Sequence, residues 1–341
     1  MKENRYLYID LAKVIAIFLV IVNHTNSGIF LSLSPSPIWF LSVFYFYVSK
    51  IAVPIFIMCT GALLVSRVDG YGKHLQRLWR AIAVLFVASF IYFHAGSGFN
   101  ISNETVKSFF IYFINKPTSN ALWYMYLYIG IISVMPFLQR LAACLTKRDT
   151  EILICISLIV PGCISLIGHF INVTLYERAN FFIYSYPIGY LFVGNYISNY
   201  AMRLRPYTKL AIFIFIAFTI LATFLTYFQY KSGYSVSLYW SYLSSLTVVI
   251  PSVSIFYSVI IIASKLKKQL ESSIVQSISM CSFGMYIFSD MIIISTTKFY
   301  SWLSSVAKPF LSCLIWQLII FTIALITSYL VRKIPCIRKY L

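Results

Sequence analysis

Tyr6-Leu-Tyr-Ile-Asp10-Leu-Ala-Lys13-Val-Ile-Ala-Ile-Phe-Leu-Val-Ile-Val-Asn23-His24-Thr25 is long enough to cross a bilayer as a helix, yet it carries three ionisable side chains. Lys13 and His24 are eleven steps apart, about three full turns, so both project from nearly the same face. The rise between them is ~16 Å, roughly half the hydrocarbon thickness. Asp10 lies one turn before Lys13, placed for an i,i+3 pair. A charged pair near one end with an imidazole deeper in reads as the lining of a polar path. The blander alternative is that the ions snorkel to the interface and His24 hydrogen-bonds a neighbouring helix.

Composition sets the environment of this stretch. Hydrophobic residues make up 60% of the 341, charged ones 11%, and the mean hydropathy is +0.83, far beyond what a soluble core needs. Long apolar runs predict helices, which satisfy their own backbone in lipid; the short alternating segments of a β-barrel are not seen. The expectation is therefore an all-α polytopic protein of the cell (plasma or inner) membrane, a single domain over 1–341. About ten spans are predicted, near 6–30, 38–65, 81–97, 119–142, 151–171, 180–200, 208–230, 238–263, 276–297 and 309–331.

The formal charge of +18 is mostly a topology signal. Nineteen of the 27 basic residues fall at one set of span ends and six at the other, with Lys13 and Lys50 inside spans. The positive-inside rule then makes both termini cytoplasmic, in keeping with an even span count. The basic end also attracts anionic lipid headgroups, and nucleic acid is excluded as a partner. No cleavable signal peptide is expected. The seven cysteines are scattered without a C-x-x-C, so neither a disulfide framework nor a metal site is indicated.

Polar features recur in the second span, Ser49-Lys50-Ile51-Ala52-Val53-Pro54-Ile55-Phe56-Ile57-Met58-Cys59-Thr60-Gly61. A lysine in mid-span needs a carboxylate, an anionic ligand or water. Pro54 frees a carbonyl one turn back, and Thr60-Gly61 permits a close helix approach. Structural pairing of Lys50 with Asp10 or Asp290 is the competing reading. Of the other histidines, His74 is expected in a solvated basic loop, and His94 and His169 near outer span ends.

Ile9-Asp10-Leu11-Ala12-Lys13 followed by Asn23-His24-Thr25 resembles the opening of the membrane-bound acyltransferase-3 family. Val53-Pro54-Ile55-Phe56 through Thr60-Gly61, Leu122-Trp123-Tyr124-Met125 through Met135-Pro136, Tyr186-Pro187 through Gly194, and Ser282-Phe283-Gly284-Met285-Tyr286 are similar to its later motifs, in family order. The chain resembles the short, stand-alone form. It departs from the pattern at Lys13 and Lys50, where the family usually has Arg, at Thr60, where it has Ser, and at Ser289-Asp290, where many members place a His.

The resemblance implies an O-acyltransferase that moves an acyl group, commonly acetyl, from cytoplasmic acetyl-CoA (acyl-CoA) to a hydroxyl of a glycan or lipid-linked saccharide acceptor. On that footing His24 and Asp10 are the catalytic candidates. Lys13 and Lys50, with the 67–80 loop, meet the anionic donor. Asn23, Thr25, Thr60, Trp123 and Tyr124 orient substrate. An imidazole with an ordinary pKa near ~6.5 is suited to take the hydroxyl's proton, and equally to relay the acyl group as a nucleophile. The competing class is a secondary transporter or flippase, with Asp10, Lys13, His24, Lys50 and Asp290 as an intramembrane charged path. No broken helix pair of the kind transporters use is evident in the sequence.

Overall fold

The computed structural model describes residues 6–32, 34–96, 103–170, 185–201, 207–232, 238–266 and 273–340. It is all helical over these residues. The helices in chain order are α1 (Leu7–Ser32), α2 (Pro37–Ser49), α3 (Ala52–Leu64), α4 (Tyr71–Gly96), α5 (Asn103–Asn115), α6 (Trp123–Cys144), α7 (Lys147–Ile154), α8 (Val160–Phe170), α9 (Tyr186–Tyr200), α10 (Thr208–Lys231), α11 (Leu246–Leu266), α12 (Ser273–Val306), α13 (Pro309–Arg332) and α14 (Pro335–Arg338).

Nine stretches among the described residues are long and apolar enough to cross a membrane, which makes this a polytopic membrane protein. The expected span 180–200 is described only as the 15-residue α9, since 180–184 lie outside the described residues. Lys13 near the start of α1 and Arg332, Arg338 and Tyr340 at the end of the chain surround one cavity. Both chain ends therefore reach the same end of the bundle.

Two connectors differ from expectation. The basic segment 66–80 is mostly helix, because α4 begins at Tyr71. Lys73, Arg77 and Arg80 recur at three- and four-residue spacing, so one helix face carries the charge while their stems lie along apolar surface. Residues 98–118 likewise contain α5.

Proline decides where helices break. Ser36 caps α2, accepting from the Trp39 N–H at 3.2 Å with Pro37 in the first turn. Pro54 has no N–H to offer the Lys50 carbonyl, and the second span splits there into α2 and α3 rather than merely kinking. The Lys50 N–H turns back to Tyr47 O at 3.1 Å, and helix resumes with Ile55 N to Ile51 O at 3.0 Å. Pro161 similarly frees the Ser157 carbonyl, a π-helical turn (Cys155–Ile159) precedes it, and Ser185 Oγ donates to that carbonyl at 3.2 Å.

α1 is the central helix: Ala12, Ala16, Ile17 and Ile21 are almost completely buried, against α2, α3, α11, α12 and α13. The closest crossing is between α3 and α9. A Cβ on Gly61 would stand 2.0 Å from the Leu191 carbonyl oxygen, and one on Gly194 would stand 2.0 Å from that of Met58. Only glycine permits this reciprocal backbone contact, the close packing that holds helices together in lipid. Large apolar side chains such as Phe137, Phe213 and Leu318 lie exposed on the outside of the bundle, a surface suited to acyl chains rather than water.

Candidate active site

α1 threads between two cavities, and its polar face serves both. At the end of the bundle where the chain ends meet, a cavity of about 520 Å³ is walled by Lys13, Arg77, Arg80, Arg332, Arg338 and Lys339. Its deeper wall is Thr60, Cys59, Phe56 and Tyr128. The second cavity, about 410 Å³, contains His24, Asn23, Lys50, Trp123 and the segment Ser241–Ser244. Tyr124 and Tyr286 line both.

The basic cavity combines charge from four parts of the chain. Lys13 comes from α1, Arg77 and Arg80 from α4, Arg332 from the end of α13, and Arg338 and Lys339 from α14 and the residue after it. Arg77 is braced by Asp69, Nη1 to Oδ2 at 2.7 Å, and Lys73 reaches the same carboxylate at 3.4 Å. Burial alone would raise the Asp69 pKa, but the Arg77 and Lys73 contacts outweigh it and hold the carboxyl below its ordinary range. His74 anchors this corner, and it is buried rather than solvated as expected. Its Nε2 lies 3.1 Å from Gln139 Oε1, while Gln139 Nε2 donates to Leu64 O at 2.8 Å. A helix start at Tyr71 places the imidazole on the inward face of α4, which a loop would not have done.

The far cavity is built around the break in the second span. Lys50 was expected beside Lys13 at the donor end. It stands instead with His24, because the chain reverses after α1 and the α2–α3 break falls level with the second half of that helix. The Lys50 ammonium sits 4.1 Å from the centre of the Phe46 ring, and the first residues of α3, Ala52 and Val53, share the cavity wall. Asp290 and Lys50 are the charged groups whose fields reach the His24 ring.

The Asp290 carboxylate accepts a short hydrogen bond from Ser119 Oγ. Its backbone is shaped by Tyr92, whose hydroxyl donates to Ile287 O at 2.7 Å and accepts from Met291 N at 3.0 Å. That hydroxyl stands where one rung of the α12 ladder would be, a recognised cause of local helix opening. From the sequence, Asp290 is a departure from the family pattern, a pairing candidate for Lys50 and a member of the competing charged path, but not a neighbour of Ser119 or Tyr92. Its contacts come from α4 and from the turn before α6, distances that no spacing rule encodes.

The remaining site candidates divide. Asn23, Trp123 and Tyr124 line the far cavity with His24, and Thr60 lines the basic one with its hydroxyl donated to Phe56 O at 3.0 Å. Thr25 lines neither; its hydroxyl donates to Ile21 O at 2.7 Å and accepts from Gln317 Nε2 at 2.8 Å, which ties α1 to α13. Asp10 also lies outside both walls. It is buried, and its Oδ1 accepts from Ser279 Oγ at 2.6 Å, while fourteen residues of helix, ~21 Å, separate it from His24. Among the described residues, ion pairs join Asp69 to Lys73 and Arg77, and Lys147 to Glu151.

His94 is buried against Phe90 and Phe93, away from both cavities, and the His169 side chain lies outside the described residues. No cluster of metal-ligating side chains occurs among the described residues. Arg332, Arg338 and Lys339 were read only as topology charges; their convergence on Lys13 required α13 to pack beside α1.

No curated protein and no solved structure matches the chain. A family model does: the acyltransferase domain Acyl_transf_3 covers residues 6–333, nearly the whole length. With a helical membrane bundle that holds an imidazole in one cavity and a cluster of cations in another, the chain belongs to the Acyl_transf_3 family of membrane acyltransferases.

Proposed function

We propose that this acyltransferase moves an acetyl group from cytoplasmic acetyl-CoA, held in the basic cavity, to a sugar hydroxyl of a surface or exported glycan that enters the His24 cavity. The observation that carries the reading is the separation of the two cavities along one helix, with Lys13 in the first, His24 in the second and, among the described residues, only Tyr124 and Tyr286 in common. The phosphates of the donor match six cationic side chains, and the narrow pantetheine arm suits the deeper, less charged wall at Thr60 and Phe56. The basic asymmetry of the span ends assigns this cavity to the cytoplasm.

In the reaction the acceptor hydroxyl gives its proton to a His24 ring nitrogen as its oxygen attacks the thioester carbonyl. The C–S bond breaks, a C–O ester bond forms, and the proton passes on to the departing thiolate of CoA. Asp290 and Lys50 set the field around the imidazole as its charge changes. Asp10 acts at a distance: its bond to Ser279 ties α1 to α12 and so fixes the register of the α1 face.

The direct test is incubation of membrane vesicles from producing cells with radiolabelled acetyl-CoA. Label is expected in the saccharide fraction with wild type and to be lost with His24→Gln. Equal labelling by both proteins rejects the assignment.

One observation favours the transporter reading, the break of the second span at Lys50–Ile51 beside His24, since broken helices commonly frame substrate sites in carriers. Saccharide movement across vesicles without acyl-CoA, abolished by Lys50→Met, would support that reading instead.

A further inference from the structure

The wall between the two cavities is a pair of phenol rings. Tyr124 and Tyr286 are the residues common to both linings, with ring centres 5.8 Å apart and planes at 81°, edge against face. Each is nine-tenths or more buried, so the pair fills the space it occupies.

The two rings are held differently. Tyr286 sits in the body of α12, and its hydroxyl donates to the Ala121 carbonyl. It is pinned to the turn that starts α6. Tyr124 is the second residue of α6, and among the described residues its hydroxyl makes no hydrogen bond. Apolar packing holds it, with ring contacts to Tyr286, to Phe56 at 6.1 Å, to Trp123 at 6.3 Å and to Tyr128 at 6.4 Å. A swing of Tyr124 about χ1 therefore gives up dispersion contacts but no buried hydrogen bond, whereas a swing of Tyr286 leaves the Ala121 carbonyl without its donor.

We infer that Tyr124 and Tyr286 form an aromatic partition through which the acyl group reaches the acceptor, Tyr124 the moving leaf and Tyr286 the fixed post, and that its narrow aperture restricts transfer to short acyl chains. The inference rests on the donor and acceptor reading of the two cavities. A closed leaf keeps water of the far cavity from the thioester. An open leaf admits a flat two-carbon unit, but each added methylene must displace an aromatic ring or Phe56 behind it, and a tightly packed site resists such overpacking. Discrimination per methylene in an apolar slot runs at about 10–200-fold. Tyr124→Ala removes the leaf and opens space for a longer chain. Tyr286→Phe only unpins the post.

The test compares radiolabelled acetyl-CoA with radiolabelled hexanoyl-CoA in membrane vesicles from producing cells, with label counted in the saccharide fraction. Wild type is expected to transfer acetyl and reject hexanoyl. Tyr124→Ala should raise the hexanoyl-to-acetyl ratio about tenfold or more, and Tyr286→Phe should raise it less. If wild type transfers neither thioester, the donor reading itself falls. If wild type transfers acetyl and the ratio stays unchanged in both variants, the partition alone is overturned.

A readout independent of activity covers a variant that loses all transfer. Cys59 lies on the basic-cavity side of the pair. An impermeant methanethiosulfonate reagent added outside intact cells should leave Cys59 unmodified in wild type and mark it in Tyr124→Ala, or in Tyr124→Leu if the alanine variant does not accumulate. Modification mapped to Cys59 in wild type, or in none of the proteins, overturns the proposal.

Discussion

Lys50, at the break between α2 and α3, and His24 of α1 face one cavity, whereas Lys13, which shares a face of α1 with His24, faces another. The two lysines therefore line different cavities. The family resemblance had implied one donor site for both.

Separate effects follow for the two cations. Lys13→Ala should raise the KM for acyl-CoA several-fold, and Lys13→Arg should keep most of the activity because a single positive charge suffices for phosphate. Lys50→Met should leave the acyl-CoA KM near wild type and lower kcat, since Lys50 stands beside His24 rather than beside the donor cations. Steady-state kinetics on vesicles distinguishes these outcomes. A Lys50 variant with an impaired donor KM would return that residue to the donor site.

His24 carries the sharpest expectation. Loss of a general base costs ~10²–10⁴ in rate, so His24→Ala and His24→Gln should both fall in that range while membrane level and thermal stability stay close to wild type. Glutamine keeps hydrogen-bonding capacity without accepting a proton at neutral pH. Rescue by glutamine together with loss of abundance in alanine would indicate a helix-packing residue.

The α3–α9 crossing gives a prediction about stability alone. Gly61→Val and Gly194→Val each drive a side chain into a backbone carbonyl that cannot retreat without moving its helix. Each should cost roughly 2–4 kcal/mol, enough to lower the unfolding temperature in detergent by several degrees. Gly72→Val, where an added Cβ meets nothing within 4 Å, is the matched control and should unfold with wild type.

Orientation is checked by labelling single cysteines introduced at Gly72 and Lys116, both exposed, in a background with Cys144, Cys155 and Cys336 replaced. An impermeant maleimide added to intact cells should react at 116 and not at 72. The reverse pattern would move the basic cavity outside and exclude cytoplasmic acyl-CoA as its occupant.

Much of this protein was legible before any fold was known. Apolar run lengths determined a helical membrane bundle, because lipid leaves the backbone no other way to satisfy itself. The shared face of Lys13 and His24 followed from the 3.6-residue period, which depends on nothing outside α1. Pro54 announced a disturbance at Lys50, since a missing N–H is a local fact.

Other features depended on which helices meet, and sequence distance does not set that. Whether Pro54 kinks the span or divides it depended on the packing around Lys50. The helical nature of residues 71–80 was hidden by charges whose stems are accommodated only at the bundle's end, and with it the buried bond from His74 to Gln139. The Asp10 carboxylate accepts from Ser279, 269 residues away, a partner that one-turn spacing to Lys13 could not reveal. The same reason explains the two cavities. One helix supplied the residues for both, but the partition between them comes from the starts of α6 and the middle of α12, brought edge to face only by the packed bundle.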